Sequence, residues 1–242
     1  MNKIIAQTPE ELGELASAQA AELIKAAIST NGSCRLLIST GASQFETLAN
    51  LQRKDIDWSK VELFHLDEYI GLAETHKASF IGYIKERFLA GIAPLKAVHF
   101  IDGMAPPDEV MARVSAQINR APVDVALIGI GENAHIAFND PPADFKTKEA
   151  FKIVTLDDAC RKQQLGEGWF PTFESVPKTA ITMTVHKIMQ SKTIISAVPH
   201  KQKTKAIFDT LNNEPTPEIP ATILKTHPDW TLYLDLHSSS MI

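Results

Sequence analysis

The sequence predicts an α/β fold that is Rossmann-like, with a mostly parallel sheet and helices on both of its faces. Short apolar stretches alternate with longer stretches whose apolar residues recur at helical spacing, through nearly the whole chain. With 242 residues, 44% of them hydrophobic, the chain is long enough to enclose a full core. We see no internal repeat, low-complexity segment or convincing linker, and therefore expect a single domain over residues 1–242.

The first helix has sequence signals at both ends. Thr8 is a suitable N-cap, Pro9 is favoured in a first helical turn, and Glu11 completes a capping box. Apolar residues then follow at helical spacing as far as Asn31 and Gly32, a pair typical of a helix end. The pattern predicts a helix that begins after Thr8 and ends at this pair.

The later elements continue the alternation of strand and helix. Strands are predicted at 34–40, 61–66, 97–102, 123–131, 152–156, 180–185, 193–198 and 231–236. Helices are predicted at 44–53, 79–92, 106–121 and 201–211. The stretch VDVALIGIG, at 123–131, is the most apolar of the strands. Strands separated by helices indicate a parallel sheet, since a parallel pair needs a crossover connection.

Composition and charge narrow the range of functions. A formal net charge of −5 argues against nucleic acid or an anionic membrane as the main partner, but not against a small anionic ligand. Two cysteines, Cys34 and Cys160, are too few for a disulfide framework and favour a reducing compartment. The N-terminal residues lack a signal-peptide pattern, and no stretch reaches the roughly 20 apolar residues of a membrane helix. We expect a soluble, cytoplasmic protein.

Polar residues follow four of the predicted strands. In parallel sheets, ligands bind at the carboxyl ends of the strands, where these stretches lie. They are ISTGASQ (38–44), LDEYIG (66–71), GENAHIAFND (131–140) and PHKQK (199–203). The first could bind an anion through backbone N–H groups and two hydroxyls, or be an ordinary turn between strand and helix. The lysines of the fourth could pair with a phosphate, or form a solvated surface.

The other two stretches carry groups that can move protons. Asp67 and Glu68 leave a strand on opposite sides and could have different roles, one as a general base; alternatively, one caps the next segment and the other is solvated. His135 can exchange a proton near neutral pH, and Asp140 or Asn133 could hold its ring. A lone loop histidine is more often structural, but glycine, amide, histidine and acid in one loop favour a site.

A metal site is a weaker alternative. His65, Asp67 and His135 are ligand types that could bind a metal. No closely spaced pair, such as two histidines one helical turn apart, supports that interpretation. We therefore expect no bound metal.

Taken together, the motifs resemble those of a known superfamily. TGAS, LDEYIGL, GIGENAHIAFNDP and VPHKQK, in this order and spacing, resemble glucosamine-6-phosphate deaminases (isomerases) and 6-phosphogluconolactonases. The similarity includes the closing stretch IPATILKTHPDWTLYLD and covers almost the whole chain; LDEYIGL and HIAFND are more similar to the deaminase branch. The resemblance implies conversion of glucosamine 6-phosphate, or a close relative, to fructose 6-phosphate and ammonia, without a metal or organic cofactor.

The resemblance also implies roles for individual residues. Asp67 would move a proton between C2 and C1 of the open-chain sugar, and His135, held by Asp140 and Asn133, would assist opening of the pyranose ring. The substrate-binding residues would be Thr40, Gly41, Ala42, Ser43, Glu68 and Lys203. The expected partner is a phosphorylated sugar or amino sugar, and a homo-oligomer is a possible further assembly.

The sequence departs from the family pattern in the loop of His135 and near residue 165. Asn133 stands where aspartate is usual, and Asp140 where glutamate is usual. QQLGEGWF (163–170) replaces a segment in which a phosphate-binding arginine is expected, and nearby Arg161 matches another position. Two other functions remain open, a hydrolase of phosphorylated sugar lactones and a non-catalytic sugar-phosphate-binding protein.

Overall fold

The computed structural model describes residues 1–166 and 168–242. Within these residues the strands are β1 (Asn2–Ala6), β2 (Cys34–Ile38), β3 (Val61–His65), β4 (Asp67–Tyr69), β5 (Ala97–His99), β6 (Val125–Leu127), β7 (Phe151–Thr155), β8 (Thr179–Met183), β9 (Thr193–Val198) and β10 (Trp230–Asp235). The helices are α1 (Pro9–Asn31), α2 (Phe45–Gln52), α3 (Phe80–Arg87), α4 (Pro107–Ile118), α5 (Asp158–Gly166), α6 (Val185–Ile188) and α7 (Thr204–Asn212). Among them, no helix is both long enough and apolar enough to cross a membrane.

The central sheet has seven strands in the order β1-β10-β9-β6-β2-β3-β5, and every neighbouring pair in it is parallel. From β2 the chain adds β3 and β5 on one side, then crosses over to add β6, β9 and β10 on the other. This reversal between β2 and β6 opens a crevice at the carboxyl ends of the strands, where doubly wound folds bind ligands.

Helices cover both faces of the sheet, as predicted. Leu36 and Leu37 are adjacent on β2 and point to opposite faces. Leu36 packs in a core with apolar residues of α1, α2 and α3, whereas Leu37 packs in a second core with those of α4, α6 and α7. The end signals of α1 are confirmed, because the Thr8 hydroxyl accepts a hydrogen bond from the Glu11 N–H at 3.2 Å.

Two predicted strands do not belong to the central sheet. The stretches predicted at 152–156 and 180–185 form β7 and β8, which join β4 in a separate antiparallel sheet of order β4-β8-β7. Hydrophobic pattern identifies a strand but does not identify its partner. The small sheet positions Asp67 and Glu68, since both lie on β4 and pair with β8.

Some elements differ in extent from the prediction. The strand predicted at 123–131 is regular only over Val125–Leu127, because its glycine-rich end leaves the sheet as a loop. β1 and α5 were not predicted. β1 is a short edge strand with most of its residues exposed, and α5 is too polar to show an apolar period.

Candidate active site

A cavity of about 430 Å³ opens where the order of the strands reverses. Its walls come from the segments that follow β2, β3, β6 and β9, together with parts of α3 and α5. The Ser39 hydroxyl accepts a hydrogen bond from the Gly129 N–H at 3.0 Å and so joins the ends of β2 and β6. Of the predicted site residues, the cavity is lined by Thr40, Gly41, Ala42, Ser43, Asp67, His135 and Lys203.

The turn after β2 is shaped for an anion. Gly41 has φ 105°, a left-handed conformation that favours glycine, and it leads into the 3₁₀ helix Ala42–Gln44 and then α2. The side-chain amide of Gln44 donates to the carbonyl of Ala197 at 3.1 Å, which fixes the turn against the end of β9. The start of a helix is favourable for an anion because its N–H groups carry partial positive charge.

Lys203 reaches the same cavity from the end of β9. It ends the 3₁₀ helix Lys201–Lys203, which continues directly into α7. The other lysine of this stretch, Lys201, lies outside the cavity. Lys205, two residues further along, also lies outside it and pairs with Asp209 at 2.5 Å. The turn after β2 and the turn after β9 therefore form one electropositive edge of the cavity.

Asp67 is a buried carboxylic acid at the floor of the cavity, with 7% of its surface exposed. Burial, with a smaller contribution from the neighbouring Glu68 carboxylate, raises the pKa of Asp67 to about 8. A carboxylate that is this basic can accept a proton from carbon near neutral pH more readily than an exposed one can.

Glu68 lies outside the lining of the cavity. Its carboxylate accepts hydrogen bonds from the Ser79 hydroxyl at 2.8 Å and from the Ile81 N–H at 2.9 Å, at the start of α3. Burial raises the pKa of Glu68 to about 7. This geometry does not support the predicted substrate-binding role of Glu68; the carboxylate caps a helix, which is the alternative considered for one of the two acids.

His135 lies in the loop after β6 and contacts one carboxylate. Its Nδ1 is 3.0 Å from Oδ1 of Asp140, although the ring N–H is not aimed straight along this contact. The Asn133 side chain contacts both Asp140 and His135. Its Nδ2 donates to Oδ1 of Asp140 at 3.0 Å, and its Oδ1 accepts a hydrogen bond from the backbone N–H of His135 at 3.2 Å. A side chain on Gly131 would collide with the ring, its Cβ meeting the His135 ring at 2.3 Å.

The Asp140 carboxylate remains the acceptor of this cluster. Burial acts to raise the pKa of Asp140, but contacts with His135, Asn133 and the Cys160 thiol outweigh it, and the pKa lies below its ordinary value. Burial raises the pKa of Cys160, so that its thiol stays protonated and able to donate. An ionised Asp140 can orient the imidazole and stabilise its protonated form.

Several residues that line the cavity are not among the site residues predicted from the sequence. Gln164 on α5 lines the cavity, and its Oε1 accepts a hydrogen bond from the Tyr69 hydroxyl at 2.9 Å. Trp169 and His200 also line it. Arg161 does not, since its guanidinium donates to the carbonyls of Phe173 and Val176. No period marks α5 in the sequence, so nothing there indicated that it reaches the cavity.

The three residues of the metal alternative, His65, Asp67 and His135, do not come together in the structure. His65 lies away from the cavity, and its Nε2 accepts a hydrogen bond from the Ile101 N–H at 2.8 Å. Burial lowers the pKa of His65 to about 3. Across residues 1–166 and 168–242, no group of three or more His, Cys, Asp or Glu residues could hold a metal ion.

The burial of Asp67 predicts a pH-dependent gain in stability for the Asp67→Asn variant. The pKa of Asp67 is about 8 in the folded protein against 3.8 ordinarily, so the unfolded chain releases this proton at lower pH. The parent should lose stability relative to the variant as pH rises from about 4 to about 8, by at most about 1.4 kcal/mol per pH unit. Urea unfolding of both proteins across this range measures the difference, and a difference independent of pH would contradict the prediction.

Comparison with known proteins agrees with the geometry. Residues 7–233 match a family model described as glucosamine-6-phosphate isomerases/6-phosphogluconolactonase. The glucosamine-6-phosphate deaminase of Thermoanaerobacter pseudethanolicus is 34% identical to this chain, and the match covers 100% of this chain and 95% of the relative. The glucosamine-6-phosphate deaminase of Bacillus cereus strain B4264 is 32% identical, over 100% of this chain and 89% of the relative.

Solved structures show the same fold. A structure described as a monomeric glucosamine-6-phosphate deaminase has a TM-score of 0.90 and 29% identity, and the match covers 100% of both chains. A putative 6-phosphogluconolactonase from Neisseria gonorrhoeae has a TM-score of 0.75 at 20% identity, over 97% of this chain and 98% of that one. The second similarity is one of fold.

Proposed function

Because the chain belongs to the glucosamine-6-phosphate isomerase/6-phosphogluconolactonase family, we propose that it is an enzyme that converts glucosamine 6-phosphate and water to fructose 6-phosphate and ammonia. One observation carries the proposal: a single cavity holds a buried carboxyl group, a histidine beside a carboxylate, and an electropositive edge. These are the groups that ring opening, proton transfer at carbon and phosphate binding need.

The phosphate binds at the electropositive edge formed by residues 40–43 and Lys203. Backbone N–H groups and the hydroxyls of Thr40 and Ser43 are donors for its oxygens, and the Lys203 ammonium balances its charge. Binding at the far end of the sugar positions C1 and C2 without contact to the reacting atoms, so this energy serves mainly to orient the substrate.

His135 opens the pyranose ring. The imidazole takes the proton of the C1 hydroxyl and returns a proton to the ring oxygen, so that the C1–O5 bond breaks and a C1 aldehyde forms. Since Nδ1 faces Asp140, Nε2 is the nitrogen available to the substrate. The Asp140 carboxylate holds the ring in place and stabilises the charge that it carries between the two transfers.

Asp67 then moves a proton along the open chain. Its ionised carboxylate takes the C2 proton while O1 takes a proton from the C2 ammonium group, which gives an enolamine. Asp67 then delivers its proton to C1, which leaves a protonated C2 imine and a C1 alcohol. Water adds to the imine and ammonia leaves, so that atoms balance. A carboxylate at this position can carry out the transfer because the aldehyde acidifies the C2 proton.

Two turnover assays and one binding measurement test the proposal. We expect ammonia and fructose 6-phosphate in equal amounts from glucosamine 6-phosphate. Hydrolysis of 6-phosphogluconolactone without ammonia release would assign the lactonase function instead, with His135 activating water. Binding of both compounds without turnover would identify a sugar-phosphate-binding protein.

We also propose that the enzyme works in the cytoplasm. A phosphorylated sugar is an intracellular type of metabolite, and the free, buried thiols of Cys34 and Cys160 suit a reducing compartment. The enzymes of similar sequence are named for a phosphorylated amino sugar, glucosamine 6-phosphate.

Lys203→Ala should raise KM for the sugar phosphate by roughly tenfold or more and change kcat much less. A charge-assisted contact of about 1.5–3 kcal/mol that is equal in ground and transition states contributes to binding alone. Lys205→Ala is the matched control, because Lys205 lies on the same segment, outside the cavity and paired with Asp209. A Lys203 variant with unchanged KM would remove this lysine from the phosphate site.

A further inference from the structure

One of the basic residues that line the cavity, His200, has no role in the proposed reaction. Among the described residues, those with basic side chains that line the cavity are Lys77, His135, His200 and Lys203. The Lys77 ammonium donates to the carbonyl of Gly168 at 2.7 Å, and His135 lies against Asp140. His200 and Lys203 share the turn after β9, three residues apart, at the electropositive edge.

His200 has a backbone conformation that is unusual for a residue with a side chain. Its φ is 81° and its ψ is 148°, close to a region that is essentially restricted to glycine. Such conformations are strained, and they cluster at ligand sites, where the surrounding structure enforces them. Glycine would satisfy this turn without strain, so the imidazole is present despite an unfavourable backbone.

A buried carboxylate holds His200 in this conformation. Oδ2 of Asp235, at the end of β10, accepts a hydrogen bond from the His200 N–H at 3.0 Å, while Oδ1 accepts one from the Ser238 N–H at 2.6 Å. Asp235 has no exposed surface. The hydrogen bond fixes the backbone of His200 in the turn after β9, and the residue consequently lines the cavity.

The turn after β9 also lies against the proposed phosphate-binding turn, through the hydrogen bond from Gln44 to Ala197. We propose that His200 is a further substrate-binding residue, which holds the phosphate of the sugar together with Lys203 and residues 40–43. This inference rests on the proposed function, since it adds a ligand to the same phosphate site.

Sulfate, as a phosphate substitute, tests the inference without turnover. We expect the His200→Gly variant to melt at a higher temperature than the parent without anion, and to bind sulfate about tenfold more weakly in thermal-shift titrations. His200→Ala should lose the same affinity without the stability gain, since alanine keeps the strain. Lys201→Ala is the control, because this exposed neighbour lies outside the cavity and should leave sulfate binding unchanged.

Kinetics provide the second measurement. In the His200→Gly variant we expect KM for the sugar phosphate to rise about tenfold and kcat to stay within about twofold of the parent. Two His200 variants that bind sulfate as tightly as the parent does would overturn the inference. A parent that binds sulfate through His200 but releases no ammonia from glucosamine 6-phosphate would overturn the proposed reaction and leave this inference standing.

Discussion

The Asp67→Asn variant is expected to bind the sugar phosphate nearly as tightly as the parent and to turn it over about 10²–10⁴-fold more slowly. Asparagine has almost the shape of the protonated acid but cannot accept the C2 proton. The phosphate contacts come from other segments, the turns after β2 and β9, and remain in place. The loss should therefore fall on kcat, with KM little changed.

The measurement is steady-state ammonia release, with inhibition by inorganic phosphate as an independent measure of binding. Glu109→Gln provides the matched control, because it removes a carboxylate from the exposed surface of α4. Near-normal turnover by the Asp67→Asn variant would exclude Asp67 as the base. Loss of phosphate inhibition together with turnover would mean that the substitution disturbs the cavity as a whole.

Regular elements with their own local signals could be predicted from the sequence. α1 has a cap, a first-turn proline and a terminal glycine, each of which acts within a few residues along the chain. The pairing of β4 with β8 has no such signal, since Glu68 and Ile181 meet across more than 100 residues. For this reason the parallel sheet was predicted and the small antiparallel sheet was not.

The residues of the candidate site also divide into those that the sequence predicts and those that it does not. The carboxyl ends of parallel strands must meet at one edge of the sheet, so residues directly after strands are expected to lie close together, and Asp67, His135 and Lys203 do line one cavity. The direction of a side chain was harder to predict. The sequence predicts a substrate-binding role for Glu68, but the strand alternation that separates it from Asp67 turns it toward the start of α3.

Residues whose place in the site depends on tertiary contacts have no recognisable signal in the sequence. The contact of Cys160 with Asp140 joins α5 to the loop of His135 across 20 residues, and the strain at His200 is a property of backbone angles. Neither can be read from residue type or spacing. Both belong to the site through the fold rather than through a motif.

The Asp140→Asn variant is expected to lose about 10²–10⁴-fold in turnover, comparable to the loss of the base itself. Oδ1 of Asp140 lies 3.0 Å from Nδ1 of His135, and among the described residues no other carboxylate forms an ion pair with this ring. An amide at position 140 can still contact the ring but cannot stabilise its positive charge. It also replaces one of the two carboxylate oxygens that serve Asn133 and Cys160 as acceptors with an NH₂ donor.

Asn133→Asp tests whether charge, rather than shape, is what Asp140 supplies. Because Asn133 donates to Oδ1 of Asp140 at 3.0 Å, an aspartate there would bring two carboxylates together, and they would share a proton at acidic pH. As the pair loses that proton, the negative charge beside His135 grows beyond that of the parent, and protonation of the ring becomes easier. The part of the acidic limb that lies below the ionisation of Asp67, near pH 8, should then move to higher pH, whereas in Asp140→Asn it should move to lower pH. Turnover measured from pH 5 to 9 for the parent and both variants decides the point.

A nearly silent Asp140→Asn variant, with an unmoved profile for Asn133→Asp, would show that His135 works without Asp140, and ring opening would need another acid.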